Sequence, residues 1–312
     1  MAMNETISIV TPTFNEKDNL LPLIESIAEI MERQCYEYEH IVIDNCSTDG
    51  TKELLKEIAP SRPKLKVILN SRNFGQIRSP YYGTLQATGN ACINLPSDFE
   101  VPLEIIPALI SKWEEGYKVV FAVKEISNSS LLNVMKNFYY RVLNKSSDIE
   151  LISNTSGFGL IDSKVVEILK EIDTPLPYYR GLLSEIGFEH AVVSYVHVAR
   201  AHGRSKNNLM SLYDYGMVGF ATYSKLPLKL MAIGGFVMAI VCFLVAAYYL
   251  IMKLMYWDTF EFGMAPILIG LFLVGSINAL CIGILGEYIY MMSNFTRNMP
   301  LVVEEERLNF SD

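Results

Sequence analysis

Residues 40–58 read HIVIDNCSTDGTKELLKEI, and this stretch decides the fold. His40 to Asp44 is a short β-branched run, the mark of a buried strand. Asp44 to Gly50 is polar and turn-forming, and Thr51 to Ile58 follows with a helical pattern. A strand that passes into a helix through a polar connection is half of a strand–helix–strand unit.

The alternation continues in both directions. Ser8 to Thr11 (SIVT), Lys66 to Leu69 (KVIL), Ala91 to Leu95 (ACINL) and Lys118 to Val123 (KVVFAV) read as further buried strands. Helical patterns over Lys17 to Arg33, Gln76 to Thr88 and Leu103 to Glu114 fall between them. The order predicts an α/β, Rossmann-like, mostly parallel sheet with helices on both faces. Ligands of such sheets bind beyond the carboxyl ends of the strands. Four of those ends are polar here: Pro12-Thr13-Phe14-Asn15-Glu16, then Asp44 to Gly50, then Ser71-Arg72-Asn73-Phe74-Gly75, then Pro96-Ser97-Asp98-Phe99-Glu100. Their convergence points to one site. Taken singly, Asn15 and Asp49 could instead cap the helices that follow, and Asp44 could open a turn. No G-x-G-x-x-G and no G-x-x-x-x-G-K-[ST] occurs, which disfavours a dinucleotide fold or a P-loop.

The chain has 312 residues, 51% hydrophobic and only 19% charged, with a formal net charge of −8. Soluble domains average about 25% charged residues, and the deficit here lies after Leu226. An acidic chain without a Lys/Arg block is a poor nucleic-acid binder. Cys35, Cys46, Cys92, Cys242 and Cys281 are far apart, without a C-x-x-C pair, and read as free thiols in a reducing compartment. His40, His190, His197 and His202 lack metal-ligand spacing.

Leu230 to Met252 and Met264 to Gly286 are uncharged and long enough to cross about 30 Å of hydrocarbon as helices. Lys225 and Lys229 precede the first span and Arg297 follows the second, which predicts a cytoplasmic head and C-terminus. Small residues in the second span favour close helix contact and leave a homo-oligomer open. The expected divisions are a head over 1–206, a juxtamembrane amphipathic segment over 207–229, spans over 230–252 and 264–290, and a cytoplasmic tail over 291–312. A second amphipathic stretch, 131–145, is expected to pack on the head or the membrane.

Several motifs together resemble a family. VTPTFNE (10–16), VIDNCSTDGT (42–51), RNFG (72–75) and SDFE (97–100) resemble the family 2 inverting glycosyltransferases of GT-A fold. Arg180-Gly181, ARAHGRSK (199–206), GILGEY (283–288) and the paired spans are similar to the polyprenyl-phosphate branch, which includes dolichyl-phosphate mannosyltransferase and bactoprenol glucosyltransferase. The resemblance implies an enzyme at the cytoplasmic face of the membrane that moves a sugar from a nucleotide-sugar donor to polyprenyl phosphate. It assigns the nucleotide-sugar to Pro12, Asn15, Glu16, Asp44, Asp49, Asn73, Gly75 and Asp98. It implies Mg²⁺ or Mn²⁺ held by Asp98 with Glu100, since hard divalent ions take carboxylate and phosphate oxygens. Acceptor phosphate is expected at Arg180, Arg200, Arg204, Ser205 and Lys206, and catalysis at Asp98, Arg200, Arg204 and Lys206.

The chain departs from the family pattern twice. Pro96 stands where the family commonly has the first Asp of Asp-x-Asp, and Gly157 stands where it has the Asp of Gly-Asp-Phe-Arg-Leu. A phosphate monoester has its second pKa near ~6, so a lipid phosphate attacks as an anion and needs little general base. Loss of the acid thus favours a phosphate acceptor over a sugar hydroxyl. The alternative is a catalytically lapsed member acting as a membrane-bound binding or scaffold subunit. A processive synthase fits poorly, with two spans and no Q-x-x-R-W.

Overall fold

A computed structural model describes residues 5–125, 143, 145–147, 155–196, 219, 222–224, 226–256, 264–296 and 299–310. Arg200, His202, Arg204, Ser205 and Lys206 lie outside them, as do most of the two expected amphipathic stretches.

The described chain runs β1 (Thr6–Thr13), α1 (Lys17–Glu32), β2 (Glu37–Asp44), α2 (Thr51–Ile58), β3 (Leu65–Asn70), α3 (Gly75–Leu85), β4 (Ala91–Asn94), α4 (Ile105–Glu114) and β5 (Val119–Lys124). It continues with β6 (Thr155–Asp162), α5 (Ser163–Glu171), α6 (Tyr179–Ile186), β7 (His190–Tyr195), α7 (Leu226–Met255), α8 (Met264–Phe295) and β8 (Glu304–Leu308). The predicted strands and helices fall where these lie, within a few residues at each end. One eight-stranded sheet takes the order β7-β5-β6-β4-β1-β2-β3-β8.

Parallel pairing joins β4, β1, β2 and β3, as the alternation requires, and also β5 to β7. Strand β6 is antiparallel to β4 and β5, and β8 is antiparallel to β3, so the sheet is mixed towards both edges. Side chains alternate across it. Ile7 and Ile9 join Leu23, Ile27, Ile106 and Leu109 on one face, while Val10, Ile41 and Ile43 join Tyr81 and Leu169 on the other. Val42, Val67 and Leu69 pack with Leu20, Leu55 and Ile58 in a third cluster under α1 and α2. Fully burying each such side chain contributes about 1.5–3 kcal/mol. Gly83 lets α3 press onto this sheet, because a Cβ there would meet Val10 Cγ1 at 2.9 Å.

Helices α7 and α8 contain stretches, Leu226–Met252 and Leu273–Tyr290, long and apolar enough to cross a membrane, and neither packs into the head. The expected tail is partly a structural element. After α8 the chain returns to the head, Val302 is buried, and β8 completes the sheet along β3.

Candidate active site

The carboxyl ends of β1, β2 and β4 share an unusual backbone feature. Asn15 (φ 55°), Cys46 (φ 64°) and Phe99 (φ 57°), one just past each strand, are all left-handed. Asn tolerates that region, whereas for Cys and Phe it costs about 1 kcal/mol or more. Such strain persists only where surrounding bonds over-determine it, and it clusters at binding sites.

Those bonds are visible. The Asn15 backbone N–H donates to Ser47 Oγ at 2.7 Å, and Asn15 Oδ1 accepts from the Thr48 N–H at 2.7 Å. The end of β1 is thereby stitched to the loop after β2. Asn45 stitches that loop to the end of β3: its Oδ1 accepts from the Phe74 N–H at 2.8 Å and from Asn70 Nδ2 at 3.2 Å. Its Nδ2 donates to Asn73 Oδ1 at 2.9 Å and to the Gly75 carbonyl at 3.2 Å. Asn73 Oδ1 also accepts from the Gly75 N–H at 2.8 Å, which sets the start of α3. Asn45 and Ser47 were not among the sequence candidates, since a lone Asn or Ser in a polar loop carries no signal. The structure makes them the joints of the crevice.

Asp44 is fully buried at the end of β2. Burial pushes its carboxyl above the usual range, and hydrogen bonds from the Ser47 hydroxyl and N–H (2.9 Å) oppose this in part. It therefore does open a turn, while standing at the floor of the crevice. Asp49 precedes Gly50, the N-cap of α2, and bonds to the first residues of two helices. Its Oδ1 accepts from the Thr51 N–H at 3.0 Å and the Thr51 hydroxyl at 2.5 Å, and its Oδ2 accepts from the Lys17 N–H at 3.1 Å, joining the starts of α1 and α2. Burial alone would raise its pKa, but these donors hold it below the carboxylate norm. Glu16 sits at the same joint, accepting from Asn19 Nδ2 at 2.7 Å. Pro12, half-buried near the end of β1, pairs with Ile43 across the sheet.

Past β4, Asp98 and Glu100 lie in one half-buried turn, and Asp98 Oδ1 accepts from the Glu100 N–H at 3.1 Å. The strand end below is fixed by Asn94, whose Oδ1 accepts from Thr84 Oγ1 at 2.9 Å and whose Nδ2 donates to Tyr179 OH at 3.0 Å. Strand β6 brings Gly157 to the same edge, because Gly159 pairs with Asn94. Gly157 is left-handed (φ 82°), and a Cβ there would lie 3.6 Å from Arg180 Nε. Asp162 ends β6 at the opposite edge, opposite Ala91, where it accepts from Trp113 Nε1 at 2.7 Å and pairs with Lys118 at 2.8 Å. It cannot replace an acid at position 157.

The glycosyl transferase family 2 model matches residues 8–169, which span β1 to α5 and every strand end just described. The chain belongs to glycosyl transferase family 2. An uncharacterized glycosyltransferase of Bacillus subtilis (strain 168), YkcC, is 32% identical, with 98% of this chain and 95% of that protein covered. The SfII prophage-derived bactoprenol glucosyl transferase of Shigella flexneri is 30% identical, with 94% and 96% covered. Among solved structures, glucosyl-3-phosphoglycerate synthase from Mycobacterium tuberculosis, in complex with Mn²⁺, UDP and glucosyl-3-phosphoglycerate, is similar in fold. The TM-score is 0.51 at 18% identity, covering 70% of this chain and 78% of that one. The fold is the GT-A type that the motifs implied, and the chain is a glycosyltransferase.

The turn after β4 carries two carboxylates, those of Asp98 and Glu100, that a divalent ion could take. Among the described residues no three His, Cys, Asp or Glu side chains form a metal cage. Asp98 and Glu100 nevertheless supply hard oxygen donors, and a six-coordinate ion commonly takes only one or two protein carboxylates, with phosphate and water completing its shell. The residues fit an ion that arrives with a diphosphate.

Proposed function

We propose that this family 2 glycosyltransferase moves a sugar, with inversion, from a nucleotide-sugar to polyprenyl phosphate at the cytoplasmic surface of a membrane. The observation that carries the reading is Gly157. It lies at the strand-end crevice where an acid could act as base, and its left-handed glycine leaves no carboxylate there. An acceptor that is already an anion needs none. The names of relatives that include bactoprenol glucosyl transferases support the same acceptor.

Under this reading Asp44 and the Asn15–Ser47–Asn45 network hold the nucleoside, with the ring and ribose donors facing a fixed set of acceptors. Asp98 with Glu100 would hold Mg²⁺ or Mn²⁺, which offsets charge on the leaving diphosphate. Arg180, Arg200, Arg204, Ser205 and Lys206 would seat the acceptor phosphate in line with the anomeric carbon. Alignment of this kind makes the attack effectively unimolecular and can remove several kcal/mol of the barrier. The apolar stretches of α7 and α8 would cross the bilayer. The return of the chain to β8 supports placing both their outer ends on the head's side, since a pair of spans brings the chain back to the face it left.

The test is purified protein in detergent with undecaprenyl phosphate, a panel of radiolabelled nucleotide-sugars, and Mg²⁺ or Mn²⁺. A labelled lipid from at least one donor is expected. No lipid product from any donor would overturn the reading.

A further inference from the structure

Gly181 is the second residue after Tyr179 on α6, and its backbone is ordinary right-handed helix, so no conformational need explains a glycine there. The need is spatial. A Cβ at position 181 would lie 2.2 Å from Tyr223 Cε2, 2.4 Å from Cζ and 2.7 Å from the hydroxyl oxygen. The ring of Tyr223 rests on the bare helix backbone. Its centroid is 5.8 Å from that of Tyr178, and the two rings pack together. Buried Tyr178 packs in turn against Ile77 of α3.

Tyr223 is also the residue from which the chain leaves for the first apolar helix. The next residue, Ser224, accepts at Oγ from the Leu226 N–H at 3.2 Å and lies 2.7 Å from Ser146 Oγ, while its carbonyl accepts from Tyr288 OH of α8 at 3.2 Å. On the head side, Tyr179 takes the hydrogen bond from Asn94, four residues before Asp98. One contact therefore joins the roots of both apolar helices to the strand end that carries the Asp98 turn.

We propose that Gly181 and Tyr223 form a clasp that sets the height and tilt of the head's crevice over the membrane-borne acceptor. Both are positioning residues, acting through α6, which carries Arg180, one of the residues proposed above for the acceptor phosphate. The inference rests on the polyprenyl-phosphate reading. A clasp of this kind governs access of the lipid phosphate and leaves the nucleotide end of the crevice, tied by Asn45 and Ser47, untouched.

The experiment measures steady-state kinetics of the full chain in detergent with undecaprenyl phosphate and the nucleotide-sugar that the donor panel selects. For Gly181→Ala the acceptor KM is expected to rise about tenfold, because misplacement by an ångström costs up to two orders of magnitude, while the donor KM stays within about twofold. Tyr223→Leu alone is expected to raise the acceptor KM about threefold, and Gly181→Ala with Tyr223→Leu to be no worse than that, since contacting residues are non-additive. An unchanged Gly181→Ala, an equal rise in both KM values, or a double variant at the product of the singles would overturn the clasp. Should Gly181→Ala fail to fold, Tyr223→Leu decides: an unchanged acceptor KM overturns the proposal. A wild-type chain that makes no lipid-linked sugar overturns the acceptor reading itself, whereas an active wild type with unaffected variants overturns only the clasp.

Discussion

Glu305 lies beyond both apolar helices, yet its carboxylate sits 2.5 Å from Nζ of Lys52 on α2, the helix that follows the Asp44 loop. Lys56 pairs with Glu306 beside it, and Asn309 Nδ2 donates to the carbonyls of Ala59 at 2.7 Å and Leu65 at 2.8 Å. The chain after α8 is thus fastened to α2 and to the start of β3.

The fastening comes mainly from the strand and only slightly from the ion pairs. Solvent screens these exposed pairs, so Glu305→Gln should shift the melting temperature little. Deleting residues 301–312 removes buried Val302 and the β3–β8 ladder. A loss of about 3 kcal/mol is expected, or roughly 6–12 °C for a head of this size. A melting curve unchanged by the deletion would show that β8 is dispensable.

Asp44 trades stability for binding. Its folded pKa is raised, so its contribution to stability is present below the ordinary value of 3.8 and lost as pH rises through the folded value. At neutral pH the buried charge is a cost. Asp44→Asn should therefore melt at the same or a higher temperature while binding the nucleotide-sugar about tenfold or more weakly, the usual loss for a charge-assisted hydrogen bond. A lower melting temperature with unchanged binding would make the carboxylate structural.

Acid sensitivity should come from Glu39 and His40, earlier on the same strand, β2. His40 is buried against Thr11 Oγ1 at 2.9 Å, and burial holds its pKa down to about 3. For Glu39, burial raises the pKa, but Lys66, Ser8 and Thr88 outweigh it and hold the group below 4.5. Both pKa values are depressed, so the stability these groups contribute is present above the unfolded values. It is lost for His40 as pH falls from 6.5 towards about 3, and for Glu39 below 4.5. Each uncompensated proton weakens the fold by about 1.4 kcal/mol per pH unit. The melting temperature should fall from pH 6.5 downward, and His40→Gln should flatten the upper part of that slope. A flat wild-type profile between pH 6.5 and 4.5 would refute this.

Asp98→Asn tests whether the turn after β4 holds the divalent ion. Removing a carboxylate that would hold the divalent ion against the leaving diphosphate should lower kcat by about 10²–10³-fold and raise the Mn²⁺ concentration needed for half-activity. Glu100→Gln should fall less. Full activity of Asp98→Asn would show that this carboxylate does not hold the ion.

The parallel centre of the sheet was legible because buried parallel strands are continuous β-branched runs, as in His40 to Asp44. Strands β6 and β8 were not. Thr155 to Asp162 carries two glycines, and Glu304 to Leu308 reads EEERL, an edge strand whose charges hide its pairing. Asp44, Asn15 and Asp98 could be named from strand-end position. Asn45, Ser47, Tyr179 and Tyr223 could not, because their importance lies in partners distant in sequence. The basic cluster from Arg200 to Lys206 lies outside the described residues.

The central claim is that the lipid supplies an anionic nucleophile, and acceptor chemistry tests it most directly. With one active donor, undecaprenyl phosphate and undecaprenol should be compared at equal concentration in the same detergent. The phosphate is expected to become glycosylated and the alcohol to remain unreacted. Equal glycosylation of the alcohol, or transfer to neither, would contradict the account.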